Sequence, residues 1–194
     1  GRWCSDSGEL PLLPMPIEAI VEADPFDLGI LWEPIAEPPG QTILAGLIPD
    51  ERLIVFNETR RRVFDDTTFL YRTVLAHELG HWQLHVDRAQ LDHPRLPGFD
   101  RPFQFVCRRG GDSWEERQAH WFASHLLLPR DLLASHVADH PVESWNDMYA
   151  VRDYCQATIS MVRIALEGLG CTFVDKEGQI HPSRQEYQGQ ERLL

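Results

Sequence analysis

The sequence lacks any hydrophobic stretch long enough to cross a membrane, since no window approaches the roughly 18 to 20 consecutive apolar residues of a bilayer span. The apolar run Leu10 to Ile17 is interrupted by three prolines and follows acidic residues, which is not the pattern of a secretory signal. The sequence also lacks a C-x-x-C pair, because its four cysteines are scattered: Cys4, Cys107, Cys155 and Cys171. These absences argue against a membrane protein, a disulfide framework and a zinc knuckle, and we expect a cytoplasmic protein with reduced thiols.

Basic residues are also few, with 18 against 30 acidic residues and a formal net charge of −12. We expect no direct binding of nucleic acid, because such proteins present a basic surface to the phosphate backbone. The acidic excess is concentrated in residues 1–58, which hold 11 acidic and 2 basic side chains. We interpret this region as a solvated face, with a docking site for a basic partner as the alternative.

The length of 194 residues is sufficient for one sizeable hydrophobic core and short for two domains. We place a single domain over residues 17–181. A Pro-rich extended segment over 1–16 precedes it, and a polar, flexible tail over 182–194 follows it. The sequence does not indicate an oligomeric state.

Hydrophobic periodicity predicts an α+β fold with a small mixed or antiparallel sheet and a mainly helical C-terminal part. The predicted strands are Gly29–Ile35, Thr42–Ile48, Arg52–Asn57, and a late hairpin of Cys171–Val174 and Gln179–His181. The predicted helices are Pro16–Ala23, Phe69–Val86 with an N-cap within Asp65–Thr68, Ser113–Leu128, Pro129–Val137, Val142–Tyr154 and Thr158–Leu169. Prolines and glycines predict a loop over Asp92–Gly111.

An H-E-x-x-H motif, His77-Glu78-Leu79-Gly80-His81, lies within the strongest predicted helix. His77 and His81 share one helix face, where two imidazoles can bind one metal ion, and Glu78 lies close beside that face. The helix is apolar around most of its circumference, which predicts a buried position where unpaired histidines and a carboxylate would be costly. The alternative is a pair of satisfied core histidines. Gly80 costs the helix about 1 kcal/mol relative to alanine, which indicates close backbone approach or tight packing.

A catalytic zinc needs a third protein ligand and one open position. The metzincin pattern is absent, because it requires glycine and histidine where Leu84 and Asp87 stand. His85 continues the stripe of histidines but lies about 12 Å along the helix axis from His77, too far to bind the same ion. His85 therefore suits the pocket wall or the second layer around the metal. Asp87 stays a candidate ligand just beyond the helix.

A second motif lies on the helix predicted from Ser113 to Leu128. It reads Glu116-Arg117-Gln118-Ala119-His120-Trp121-Phe122-Ala123, then Leu126-Leu127-Leu128-Pro129, and it follows the first motif, Ala76 to His85. The two motifs in this order resemble those of the metallopeptidases related to ImmA and IrrE, most convincingly from Thr42 to Pro129. The resemblance implies a gluzincin-like single domain with a buried H-E-x-x-H helix. It also implies that His77, His81 and Glu116 bind Zn²⁺ and that Glu78 is the general base.

Two departures from the family pattern affect the site. The family's usual asparagine or aspartate, one turn after the ligand glutamate, is His120 here, and an imidazole orients a zinc ligand only in a suitable tautomer. The loop between the motifs is long and carries Phe105-Val106-Cys107-Arg108-Arg109, a candidate cover for the cleft. Cys107 is either a fourth ligand that masks the metal or an ordinary loop thiol.

The activity implied by the resemblance is zinc-dependent hydrolysis of a peptide bond, with Glu78 as the base. Four side chains are candidates to stabilise the oxyanion or to act in the second layer: His85, His120, His125 and Tyr71. Arg52–Asn57 is either an edge strand onto which an extended substrate adds or an ordinary internal strand.

The family resemblance implies a protein substrate, such as a helix-turn-helix transcriptional repressor cleaved in a stress or mobile-element response. The first alternative is a zinc-stabilised module that binds a protein partner without cleaving it. The second is a DNA-binding regulator with a recognition helix over Thr158–Leu166, whose apolar residues are more simply interpreted as a packing face.

Overall fold

The computed structural model describes residues 13–87, 91, 105–108 and 113–191, with residues 105–108, 190 and 191 described by their backbone alone. The chain divides into two units: one is Pro16–Ala123, and the other joins the residues up to Met15 to those from Ser124 onward. The single domain predicted over 17–181 spans both units and stays a prediction. Most of the predicted extended segment over 1–16, and the thiols of Cys4 and Cys107, lie outside the described residues.

The unit Pro16–Ala123 builds helices around a four-stranded sheet. Its elements are α1 (Ile17–Glu22), β1 (Gly29–Glu33), β2 (Ile43–Ile48), β3 (Leu53–Asn57), α2 (Arg61–Asp66), α3 (Leu70–His85), β4 (Phe105–Arg108) and the greater part of α4 (Trp114–Leu127). The strand order is β1-β3-β2-β4, in which β3 is parallel to β1 and the other two pairings are antiparallel. This arrangement confirms the predicted small mixed sheet.

Helix α3 packs against β2 and β4, and every residue from Thr73 to Trp82 is buried. The prediction of a buried helix for the H-E-x-x-H motif is therefore confirmed. The predicted N-cap within Asp65–Thr68 is wrong, because Asp65 and Asp66 belong to α2, a helix that the sequence analysis missed. Helix α3 begins instead after Phe69, which has a left-handed backbone (φ 62°) and no capping side chain.

The position of β3 decides between the two interpretations of Arg52–Asn57. This strand pairs with β1 on one side and β2 on the other, so the edge-strand interpretation is wrong and the internal one is confirmed. The edge beside β2 is formed by β4, inside the segment predicted as a loop. That prediction failed because prolines and glycines dominate the segment, and the rest of Asp92–Gly111 lies outside the described residues.

The unit that begins at Ser124 is mainly helical, as predicted. After the end of α4 it contains α5 (Arg130–Asp139), α6 (Trp145–Cys155), α7 (Ile159–Leu169), the hairpin β5 (Phe173–Val174) and β6 (Ile180–His181), and α8 (Arg184–Glu191). Helix α7 contacts α5 and α6 and buries Met161, Val162 and Leu166, which confirms the packing-face interpretation of Thr158–Leu166. Across the described ranges, no helix has both the length and the apolar character to span a bilayer.

The segment predicted as a flexible tail contains α8. Ser183 Oγ accepts a hydrogen bond from the backbone N–H of Glu186 (3.1 Å) at the start of this helix. The ring of Tyr187 packs against the rings of Phe173 and His181, with centroids 5.3 and 4.8 Å apart. The cap and this packing supply stabilisation that the polar sequence of α8 does not reveal by itself.

Asn57, at the end of β3, is fully buried and connects three backbone segments. Its Oδ1 accepts hydrogen bonds from the backbone N–H groups of Ile35 (3.1 Å) and Thr59 (3.1 Å). Its Nδ2 donates to the carbonyl of Ile43 (2.9 Å) and to the carboxylate of Glu37 (3.2 Å). This one amide therefore holds the segment between β1 and β2 against the end of β3.

We expect Asn57→Ala to lower the free energy of unfolding by about 2 to 4 kcal/mol, because buried donors and acceptors lose their partner together. Chemical denaturation measures the change. The control is Asn146→Ala in α6, where the side chain is exposed and the expected change is within about 0.5 kcal/mol. Equal effects of the two substitutions would contradict the role given to Asn57.

Candidate metal centre

Helices α3 and α4 cross at Gly80, where their backbones come unusually close. A Cβ atom at this position would lie 3.1 Å from both the Cα and the carbonyl oxygen of Ala119, and 3.2 Å from Cδ1 of Phe122. Both interpretations of the glycine, close backbone approach and tight packing, therefore apply. The crossing brings the α4 residues near Ala119 within reach of the histidines on α3.

Donor atoms of three side chains converge beside this crossing. Nε2 of His77 lies 3.0 Å from Nε2 of His81 and 3.1 Å from Oε2 of Glu116. The second carboxylate oxygen of Glu116, Oε1, lies 3.4 Å from Nε2 of His81. The structure thus brings together the two motif histidines and the glutamate that the family resemblance selected.

The spacing of these atoms fits a bound metal ion. Ligand atoms at the corners of a tetrahedral zinc site, with bonds of about 2.0 to 2.1 Å, lie about 3.3 to 3.4 Å apart. The separation between the two imidazole nitrogens is 3.0 Å, and each nitrogen lies 3.1 or 3.4 Å from its own oxygen of the Glu116 carboxylate, all close to that value. Two imidazole nitrogens and a carboxylate are also the donor types that divalent transition metals prefer.

The electrostatics of the cluster favour the metal-binding protonation states. Burial lowers the pKa of His77 to about 4, although its hydrogen bond with Glu116 opposes the shift. Burial raises the pKa of Glu116, but its interactions with the His77 and His81 imidazoles outweigh this effect and hold the pKa below its usual range. Near neutral pH, His77 is therefore neutral and Glu116 is ionised, as metal binding requires.

His120 also belongs to this cluster. Ligand atoms of His77, Glu116 and His120 all lie within 4.8 Å of one another, so this group could hold a metal ion. The ring of His120 is 4.5 Å from that of His77, centroid to centroid. Burial lowers the pKa of His120, partly offset by the negative charge of Glu116, so its imidazole is available as a neutral group.

His85 lies in the second layer around the cluster, as its distance from His77 along the helix predicts. Its Nδ1 faces Nδ1 of His81 at 3.0 Å, and its Nε2 faces Oε1 of Gln118 at 3.0 Å. Gln118 is not among the site residues predicted from the sequence. No signal in the sequence distinguishes it from an ordinary helix-surface glutamine, because its partner is set by the crossing of two helices.

The remaining candidates are placed differently. Glu78 adjoins His77 on α3 and is fully buried, and its role as the base stays a prediction. The ring of Tyr71 packs against those of Phe56 and Trp32, with centroids 4.7 and 6.1 Å apart. Asp87 is exposed and lies two residues beyond the end of α3.

His125 lies beyond Ala123, in the other unit of the chain, and its role also stays a prediction.

Comparison with models of protein families finds none that matches this sequence, and a search of curated proteins finds no match either. The assignment of a function therefore depends on the metal centre itself and on the resemblance of its two motifs.

We expect Glu116→Ala to weaken zinc binding by more than the roughly 10- to 100-fold loss typical of removing an outer-layer partner, because it removes a direct ligand. Asp87→Ala is the matched substitution and is expected to leave the affinity unchanged. Competition with a chelator of known affinity measures both. Full affinity in Glu116→Ala together with a loss in Asp87→Ala would assign the third ligand to Asp87.

A second expectation concerns the helix crossing. Gly80→Ala improves helix propensity by up to about 1 kcal/mol, but its Cβ meets the backbone of Ala119, so α4 must shift. We expect lower stability and weaker zinc binding. The control is Gly168→Ala in α7, where nothing lies within 4 Å of the new Cβ and the same propensity gain raises stability. Similar thermal shifts of the same sign in both variants would contradict the close crossing.

Proposed function

We propose that this chain is a zinc-dependent endopeptidase. The observation that supports the proposal is the convergence of His77, His81 and Glu116 to within 3.0 to 3.4 Å, beside a buried glutamate on the same helix. Two histidines and a glutamate are the donor set of one class of catalytic zinc site, which leaves the fourth position open.

Bound zinc would supply a Lewis acid that acidifies water and stabilises the negative charge that develops on the substrate carbonyl. The Glu78 carboxylate would accept the proton of the attacking water and pass it to the leaving amine as the C–N bond breaks. Glu116 and His77 would hold the metal in place from two helices, so that Glu78 meets the water at a fixed position.

A second donor to the oxyanion is proposed to be His120. Of the four side chains considered for this role, His120 is the one whose ring packs against the ring of His77, with centroids 4.5 Å apart. Its ligand atoms also lie within 4.8 Å of those of His77 and Glu116. A neutral imidazole keeps one N–H, which can donate to the developing oxyanion. This role requires that His120 faces the substrate and does not bind the metal.

The edge strand β4 is the proposed binding site for an extended segment of the substrate. It pairs with β2 along one edge, and no described strand pairs with its other edge. Backbone N–H and C=O groups along such an edge can bind an added strand with little dependence on its side chains. Since α3 packs against β4, this proposed binding site adjoins the helix that carries His77 and His81.

The proposed substrate is a helix-turn-helix transcriptional repressor, cleaved in the cytoplasm in response to stress or a mobile element. This part of the proposal rests on the resemblance to the metallopeptidases related to ImmA and IrrE. The acidic excess of residues 1–58 supports it, because a negative surface attracts a basic DNA-binding protein over long distances.

A second candidate function is a zinc-stabilised binding module without catalysis. The observation that favours it is again His120, which could act as a fourth ligand and close the coordination sphere, as in structural zinc sites. X-ray absorption of the zinc-loaded protein distinguishes the two functions. Two imidazole ligands support the open, catalytic centre, and a third that is lost in His120→Ala supports the closed one.

The test of the endopeptidase is incubation of the zinc-loaded chain with a repressor encoded beside it, followed by mass spectrometry of the products. Glu78→Gln is nearly isosteric but cannot accept the proton of water. We expect it to keep fold and zinc while the cleavage rate falls by about 10² to 10⁴-fold or more.

Substantial cleavage by Glu78→Gln would assign the base elsewhere. An intact repressor under every metal condition would remove that protein as the substrate. Broad digestion of unrelated unfolded proteins would contradict the narrow specificity that a repressor-cleaving enzyme requires.

A further inference from the structure

A chain of two hydrogen bonds connects the second helix motif to a proposed metal ligand. Oε1 of Gln118, on α4, lies 3.0 Å from Nε2 of His85, and Nδ1 of His85 lies 3.0 Å from Nδ1 of His81. The opposite nitrogen of His81, Nε2, points into the cluster with His77 and Glu116. Once the donor and the acceptor of the first hydrogen bond are known, those of the second hydrogen bond follow.

The direction begins at the Gln118 amide. A carbonyl oxygen can only accept a hydrogen bond, so the nitrogen that faces it, Nε2 of His85, carries the proton. A neutral imidazole has one N–H, which leaves Nδ1 of His85 as an acceptor. Nδ1 of His81 faces that acceptor and must donate to it, so the proton of a neutral His81 resides on Nδ1 and its Nε2 keeps a free lone pair.

The interaction between His81 and Glu116 favours the other tautomer of His81, so the hydrogen bond to His85 is needed to oppose it. The Glu116 carboxylate lies 3.4 Å from Nε2 of His81 and attracts a proton to that nitrogen, which would block its lone pair. The bond from His81 to His85 favours the opposite tautomer. His77 differs from His81 in this respect, because no described residue forms a hydrogen bond with the buried Nδ1 of His77.

We infer that Gln118 and His85 are positioning residues that fix His81 in the tautomer whose Nε2 can bind a metal. Reversal of the Gln118 amide would reverse both hydrogen bonds and place the proton on the ligand nitrogen. The inference rests on the proposed zinc centre but not on proteolysis. It assigns to His85 the part that a carboxylate or backbone carbonyl usually plays beside a zinc-bound histidine, and to Gln118 the part of fixing the tautomer of His85.

The first test measures zinc affinity of full-length variants by chelator competition. We expect Gln118→Leu and His85→Leu each to weaken binding by about 10- to 100-fold. His85→Asn should stay within about threefold of the wild type, because its Oδ1 replaces the accepting Nδ1. The control is Gln185→Leu on the exposed surface of α8, which should change nothing.

The second test reads the tautomers directly. Two-dimensional ¹H–¹⁵N multiple-bond NMR spectra of the metal-free full chain should show His81 protonated at Nδ1 and His85 protonated at Nε2. In Gln118→Leu, His81 should shift toward protonation at Nε2. A purely structural role of Gln118 would change the melting temperature without this spectroscopic change.

Two results would overturn the inference: unchanged zinc affinity in Gln118→Leu, or equal losses in His85→Asn and His85→Leu. A wild-type His85 protonated at Nδ1 would also overturn it, since the hydrogen bonds would then run the other way. If the protein shows the expected zinc affinities and histidine tautomers but cleaves no protein, that result contradicts the proposed endopeptidase and leaves the positioning role intact. A chain whose protease activity and zinc affinity are both insensitive to Gln118→Leu would contradict the positioning role alone.

Discussion

The close crossing of α3 and α4 at Gly80 is the constraint on which the candidate metal centre depends. Each helix carries part of the site: α3 supplies two histidines, and α4 supplies Glu116 as the third proposed ligand. The backbone of α4 comes so close that a Cβ on Gly80 would lie 3.1 Å from Ala119, and at this range the Glu116 side chain reaches the histidines. The same crossing brings Gln118 to His85, so the proposed ligands and the side chains behind them both depend on the missing Cβ of one glycine.

The parts of the site that could be predicted are those encoded by spacing within one helix. The four-residue interval between His77 and His81 fixes their common face, and the apolar residues around them predict burial, which the structure confirms for α3. Glu116 was selected by a motif and not by geometry. Gln118 could not be selected at all, because its partner is determined by the angle and register of two helices that are separated in sequence.

The fold shows the same division between local and non-local information. The hairpin of β2 and β3 and the C-terminal helices follow from local patterns, and the structure has them near the predicted residues. Strand β4 was missed, because four residues in a segment rich in proline and glycine form a strand only when β2 offers its edge. The internal position of β3 was equally hidden, since burial on both sides of a strand depends on which neighbours it acquires.

The electrostatic cost of the cluster explains why a metal suits it. His77 and Glu78 are buried almost completely, in surroundings where isolated polar groups are destabilising. A divalent cation at the point where the three donor atoms converge would offset that cost, and it would also define the function through its fourth position. His120 is more exposed than the other members of the cluster, so ordering it as a ligand costs more side-chain entropy than ordering a buried histidine. The exposed imidazole of His120, beside two buried histidines and a half-buried glutamate, would therefore lose the most entropy on binding a metal, which is an argument for the open fourth position of the proposed centre.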